Sequence, residues 1–465
     1  MMKLIVQYFE WYLDKNDNLW KKVVEETPLL KRLGVTDVWL PPAYKGKKGS
    51  DDSGYGVYDL YDLGEFDQKG SIRTKYGTRE EYLDAISSLQ ASGINVLADV
   101  VLNHKLGADY TEAVLADRYD EEERSQVLER VNIDAWTGFD FKKRNNKYSD
   151  FKWNKQHFTS VDYDQLNEQS GLYKFVDKEW SNNIDEELEN YDYLMGADVD
   201  FNDDEVINEY LNWGKWYLEV APVNGFRLDA IKHIDFDFFP LWLKALRQNK
   251  ELFVVGEYWS SDVRALENYL MESEYTMQLF DVALHYNLYD ASLLKADYDL
   301  RDIFKNTLVL NQPEYAVTFV DNHDTQTGQS LESMVLPWFR EIANALILLR
   351  NGGIPCVFYL DLYDDNIQKL MELRSLKSKT VYDYFDDPEC IGFSYNCNQG
   401  LTVLISNGEA RFKKMFVGRH HAQKVFIDQL GNCDEEVIIN EKGIGVFKVE
   451  AQSVSVYSLK GNEDD

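Results

Sequence analysis

The 465-residue chain reads as an eight-unit β/α barrel, interrupted after its third strand and followed by an all-β domain. Three observations lead there. Short apolar runs alternate with segments of helical periodicity, and such alternation implies parallel strands joined by right-handed crossovers. Eight units of this kind favour closure into a barrel over an open sheet. The alternation lapses between Asn103 and Asn202, and after about Asp387 it gives way to successive short strands.

Taken in order, the expected barrel strands are Lys3–Phe9, Val35–Pro41, Ile94–Leu102, Gly225–Ala230, Leu252–Trp259, Phe280–His285, Tyr315–Asn322 and Ile354–Tyr359. Spaced apolar residues predict helices over Arg79–Ser92, Asp204–Val220, Phe238–Gln248 and Trp338–Arg350. The interruption, rich in Tyr, Trp, Asp and Asn, is expected to form a small irregular domain, because structureless loops of that length are uncommon. Its acidic run Asp117–Arg124 reads as a solvated helix face. Leu401–Ser406, Lys424–Ile427, Glu436–Ile439 and Ser453–Leu459 read as strands of a sandwich, and the tail Lys460–Asp465 as frayed. The expected division is barrel over 1–103 and 204–387, insert over 104–203, and β-domain over 388–465.

Hydrophobic content of 44% and aromatic content of 14% describe a folded globular protein. The net charge of −32 argues against a nucleic-acid partner, which needs clustered Lys and Arg, and suits cations or neutral ligands. No apolar run approaches the roughly 18 residues of a membrane helix. The N-terminus lacks a signal peptide's apolar segment and cleavage site. Four cysteines (Cys356, Cys390, Cys397, Cys433) form no Cys-x-x-Cys pair and no disulfide framework. The expectation is a reduced, cytoplasmic monomer; a mature secreted chain begun at a new Met would look the same.

The chemistry gathers at strand ends. In Gly225–Ile234 the period-two rule puts Arg227 and Asp229 on one strand face, followed by Lys232 and His233. An isolated Arg–Asp pair is more often a structural ion pair. Here, however, the third strand carries Asp99 and Asn103 on one face and ends at His104. The fifth ends in Glu257-Tyr258-Trp259 and the seventh in Asp321-Asn322-His323-Asp324. Carboxylates at four strand mouths, with aromatic platforms, suit glycoside hydrolysis, where one acid protonates the leaving oxygen and another carboxylate attacks or activates water. Arg227 should keep Asp229 ionised. Glu257 follows an apolar run with no adjacent cation, so a raised pKa is expected there. No phosphate-cradling glycine motif and no Ser or Cys nucleophile motif competes with this reading.

Asp99–His104, Gly225–Ile234, Gly256–Trp259 and Phe319–Asp324 resemble the four signature segments of the α-amylase family of glycoside hydrolases. Gly54-Tyr55-Gly56, Tyr61–Phe66, Lys75–Thr78 and Tyr191–Met195 are similar to the bacterial liquefying type. The resemblance implies Asp229 as nucleophile, Glu257 as acid/base and Asp324 as the third carboxylate. It implies Arg227, His104 and His323 as residues that position the sugar, and Tyr55 as a stacking platform. Lys232, His233 and Trp259 would face the leaving group. It further implies calcium held by Asn103, Asp192, Asp198 and the carbonyl of His233. Thr159, Ser181 and Asn202 stand where the liquefying enzymes carry Asp, so one calcium is expected rather than a metal cluster. Thr327 replaces the arginine of chloride-dependent members. Leu360 replaces a usual glycine and Gly196 a common aromatic beside the cleft.

The implied activity is retaining endo-hydrolysis of α-1,4-glucosidic bonds in starch, glycogen or maltodextrins. The alternative is a maltooligosaccharide-producing or transglycosylating enzyme on the same fold. A non-catalytic glucan-binding protein is disfavoured because all three carboxylates and Arg227 are present.

Overall fold

The computed structural model describes residues 2–461 apart from Asn249; most of the tail expected to fray, 462–465, lies outside the described residues. Eight parallel strands close a barrel in chain order: β1 Ile5–Gln7, β2 Asp37–Leu40, β3 Asn95–Val100, β4 Gly225–Leu228, β5 Phe253–Gly256, β6 Gln278–Phe280, β7 Ala316–Phe319 and β8 Ile354–Val357. Ile5 lies opposite both Asp37 and Cys356, which closes the ring. Nearly every strand residue is buried, as expected of parallel strands covered by helices.

The helices begin where their caps dictate. Thr78 and Glu81 form a reciprocal capping box at the start of Arg79–Ala91. Asp203 caps Asp204–Val220 through the Glu205 amide. The sixth unit corrects the sequence expectation. Its strand ends at Phe280, and the run expected to be strand through His285 is instead the start of helix Val282–Leu294. Asp281 accepts the Leu284 amide as N-cap, and the helix is apolar on most sides, so its sequence mimics a buried strand.

The insert also departs from expectation. It is a six-stranded, antiparallel-paired sheet in the spatial order His104–Lys105, Ala197–Val199, Phe158–Asp164, Gln169–Phe175, Tyr110–Tyr119 and Val127–Gly138. The acidic run is no helix: Asp117 lies in a strand, the turn after Tyr119 reverses the chain, and Arg124 is buried. His104 pairs with Asp198, so the chain's entry to the insert and its exit are neighbouring strands beside the barrel mouth.

The C-terminal region is all-β. A six-stranded sheet runs Val381–Asp387, Cys390–Tyr395, Leu401–Ser406, Ser453–Leu459, Val425–Asp428, Val437–Ile438, with Arg411–Phe416 and Ile444–Val449 as a separate pair. All four cysteines are free, and among the described residues no helix is long and apolar enough to cross a membrane.

Candidate active site

The site begins with a close backbone approach. A Cβ on Gly225 would stand 1.9 Å from the carbonyl oxygen of Phe253, so glycine lets β4 lie tight against β5. Three residues after the end of the Gly225–Leu228 strand the chain is already coiled into the short turn Ile231–His233. The reversal is made by Ala230, a non-glycine residue at φ +50°. Asp229 sits between strand and turn, and the Ala230 amide donates to Glu257 Oε2 at 3.3 Å.

Arg227 is fully buried and reaches three carboxylates. Its Nη1 donates to Asp99 Oδ1 at 3.0 Å and to Asp229 Oδ1 at 2.5 Å, and its Nη2 lies 2.7 Å from Glu257 Oε2. The expectation that Glu257 has no adjacent cation is therefore wrong, because the β4 and β5 registers place Arg227 opposite Val255, two residues before Glu257. Glu257 is nonetheless raised: burial outweighs Arg227, and the charge of Asp229 adds to it. Burial also pushes Asp229 up to about 6, with Arg227 pulling against it. Asp229 holds the shorter contact with Arg227, and Glu257 Oε1 has no hydrogen-bond partner, an arrangement that suits an ionised Asp229 beside a protonated Glu257.

Asp324 closes the group from β7, and its side chain is 23% exposed. Burial and the charge of Glu257 push it above the carboxylate range. Gln7 Nε2 lies 3.0 Å from His323 Nδ1. As an amide donor it leaves the imidazole proton on Nε2, which stands 3.2 Å from Asp324 Oδ2. Burial and Arg227 hold His323 neutral. Its ring stacks on Tyr55 at 4.9 Å and on Trp11 at 6.0 Å. The Tyr55 hydroxyl donates to Asp99 Oδ2 at 2.7 Å, and its carbonyl accepts from His104 Nε2 at 2.9 Å. Burial lowers His104 to about 4.

On the other flank Lys232 Nζ pairs with Glu187 of the insert and lies 3.4 Å from the Trp259 carbonyl. His233 Nδ1 donates to the Tyr191 carbonyl at 2.7 Å, and burial lowers that imidazole to about 3. Trp259 is half-buried and donates to the Tyr286 hydroxyl at 3.1 Å.

The residues expected to hold calcium lie where the insert joins the barrel. Asn103 is buried, and its Oδ1 has no hydrogen-bond partner. It lies beyond the end of β3 rather than on the strand face with Asp99, a correction to the period-two reading. Asp192, pushed up to about 7, and Asp198, pushed well above the carboxylate range, are raised first by burial and further by neighbouring aspartates, which Arg124 offsets only in part. An orphaned amide oxygen and two destabilised carboxylates fit a hard divalent cation. Among the described residues no three acidic, His or Cys side chains converge as a metal group, which a site built on two carboxylates, one amide and one carbonyl would not require.

Sequence reasoning missed Asp99 as the partner of Arg227, Tyr55 and Trp39, whose Nε1 donates to Asp99 Oδ2 at 2.9 Å. It also missed Gln7 and Trp11 behind His323. The alternation of β3 marked Asp99 itself but not its partners, and nothing local marks Gln7 or Trp11, whose contacts with His323 span more than 300 residues of sequence.

The family described as "Alpha amylase, catalytic domain" matches residues 14–361, and "Alpha-amylase C-terminal" matches 401–458. The chain is 49% identical to the "Alpha-amylase" of Geobacillus stearothermophilus, over 97% of this chain and 86% of that protein. It is 39% identical to the "Cytoplasmic alpha-amylase" of Escherichia coli (strain K12), over 98% of each. The crystal structure of the α-amylase from Geobacillus thermoleovorans, complexed with acarbose, shares the fold with a TM-score of 0.64 at 17% identity, over 99% of this chain and 98% of that one. A barrel whose strand mouths converge on one arginine, matched along its length by these sequences, is that of a glycoside hydrolase, and the chain belongs to the α-amylase family.

Proposed function

We infer that the cleft hydrolyses α-1,4-glucosidic bonds in starch, glycogen or maltodextrins by retaining, endo-type attack. The observation that carries this is Arg227 holding Asp229 on Nη1 and Glu257 on Nη2. Two carboxyls on one guanidinium, with the proton favoured on Glu257, supply the nucleophile and the acid that a retaining hydrolase needs. The ionised Asp229 attacks the anomeric carbon while Glu257 gives its proton to the departing glycosidic oxygen. Glu257 then takes a proton from water, whose oxygen displaces Asp229 and restores both groups. Asp324 and the Nε2 proton of His323 face the same space and would hold the sugar's hydroxyls. The Tyr55 ring gives the sugar's apolar face a floor, with His104 and Arg227 fixing its edges. Lys232, His233 and Trp259 would meet the leaving chain.

One calcium ion held by Asn103, Asp192, Asp198 and the His233 carbonyl would supply charge neutralisation and tie the insert to the turn after Asp229. The likeness to the E. coli relative supports a cytoplasmic location, where glycogen or imported maltodextrin is the available glucan. The test is NMR of the first product from maltoheptaose, with chromatography of products from soluble starch. An α-anomer and a mixture of internal fragments are expected. A β-anomer overturns retention, and a single product length released from chain ends moves the reading to the maltooligosaccharide-producing alternative.

A further inference from the structure

The wall between insert and barrel holds Asp192, Asp198 and Asp200, all buried, and the charge of Asp200 acts on both others. Buried carboxylates that act on one another need compensation, and Arg124 offsets Asp192 and Asp198 only in part. What the protein supplies is specific. The Thr159 hydroxyl donates to Asp198 Oδ2, and the Ser181 amide donates to Asp192 Oδ2 at 3.1 Å, while the Ser181 hydroxyl turns to Asp235 at 2.7 Å. The two oxygens of Asp200 are both taken. Oδ1 accepts the Asn202 amide at 2.9 Å, and Oδ2 accepts Lys178 Nζ at 2.6 Å. Lys178 is largely buried, its ammonium also donates to the Gln156 carbonyl, and its own carbonyl accepts Lys174 Nζ at 2.8 Å. It is a held cation rather than a surface side chain resting on an acid.

The hydroxyls of Thr159 and Ser181 are therefore not vacant ligands, Asn202 donates its backbone N–H to Asp200, and none of the three brings a charge. We propose that Lys178 is a built-in cation standing in place of a bound metal at Asp200, so that the insert needs one calcium ion rather than a cluster. This rests on the calcium reading above for the ion count, while the Lys178–Asp200 charge pair is separable from it. A lysine cannot be chelated away or diluted out, so the charge balance at Asp200 should be independent of metal supply.

The test uses the full chain and three variants: Lys178→Met, Asp200→Asn and the double replacement. Thermal midpoints are read in chelator and in excess calcium, and calcium per chain is counted by equilibrium dialysis with elemental analysis. The natural chain should bind one calcium tightly. Lys178→Met should lower the midpoint by several degrees in chelator, with much of the loss recovered in calcium as a second ion reaches the freed Asp200. The double variant should regain most of the chelator loss, because no unpaired charge remains. Two or more tight calcium ions in the natural chain, an unchanged midpoint in Lys178→Met, or strictly additive losses in the double variant would each overturn the proposal. If Lys178→Met does not fold, Asp200→Asn alone decides: its midpoint should fall equally with and without calcium, and no fall overturns the pair. A natural chain that binds no calcium while the coupling persists defeats the calcium reading and leaves Lys178 as the charge partner.

Discussion

Arg227 contacts Asp99, Asp229 and Glu257 at once, so one positive charge faces three acids and cannot hold all of them ionised. That deficit keeps a proton on Glu257, and it makes the chemistry pH-sensitive in a definite sense. Asp229, pushed up to about 6, must be ionised to attack, so kcat/KM should fall as pH drops below about 6. The raised Glu257 must be protonated, and it sets the alkaline limb. Asp99 raises Asp229 by its charge. Asp99→Asn should therefore move the acid limb to lower pH, together with a loss of kcat as Tyr55 and Arg227 lose their anchor; an unmoved limb would show that Asp99 does not act on Asp229. Glu257→Gln should lower kcat by roughly a hundred- to ten-thousand-fold while maltoheptaose still binds. Retained turnover in that variant removes Glu257 from the reaction.

At the scale of single elements, β4 was legible because its alternation, its leading glycine and its charged end all sit within ten residues. Gly225→Ala tests that element directly. The added methyl meets the Phe253 carbonyl at 1.9 Å, so the strand pair must part. A cost on the order of 1–3 kcal/mol is expected for such overpacking, seen as a thermal midpoint lowered by several degrees; an unchanged midpoint would mean that β4 and β5 can separate freely. Elsewhere local pattern was ambiguous. The helix Val282–Leu294 buries Val282, Ala283, Leu284 and His285 in succession, so its first turn has no polar face to betray a helical period. The long hairpin Tyr110–Tyr119 and Val127–Gly138 hid for the opposite reason: much of it is solvent-exposed, and its acidic turn resembles a charged helix surface. Arg124 looked like part of that charge run, yet it is buried, its Nη1 donating to the carbonyls of Asn190 and Tyr193. Such contacts span sequence separations that no local period encodes.

For the whole molecule, the chain enters and leaves the insert through the paired strands His104–Lys105 and Ala197–Val199, and Asp198 lies within that seam, close to where Tyr191 and Ser181 meet His233 and Asp235 of the barrel. Its stability should then depend on how Asp192 and Asp198 are neutralised. Without metal, Asp192, pushed up to about 7, and Asp198, raised by burial and by the charge of Asp192, take protons more readily in the fold than in the unfolded chain. A folded pKa above the unfolded one contributes stability that is present at acid pH and lost as pH rises through the folded value. In chelator the thermal midpoint should accordingly fall as pH rises from about 4, where the unfolded carboxylates ionise, through about 7. Calcium binds the ionised carboxylates of the folded state alone, so its stabilisation should grow over the same interval and flatten the pH dependence. Differential scanning calorimetry at both pH values, with chelator and with calcium, reads this as a calcium-induced shift that is larger at the higher pH. A shift equal at both would mean that the ion binds away from Asp192 and Asp198, and that the seam owes its stability to its strands and to Lys178 rather than to metal.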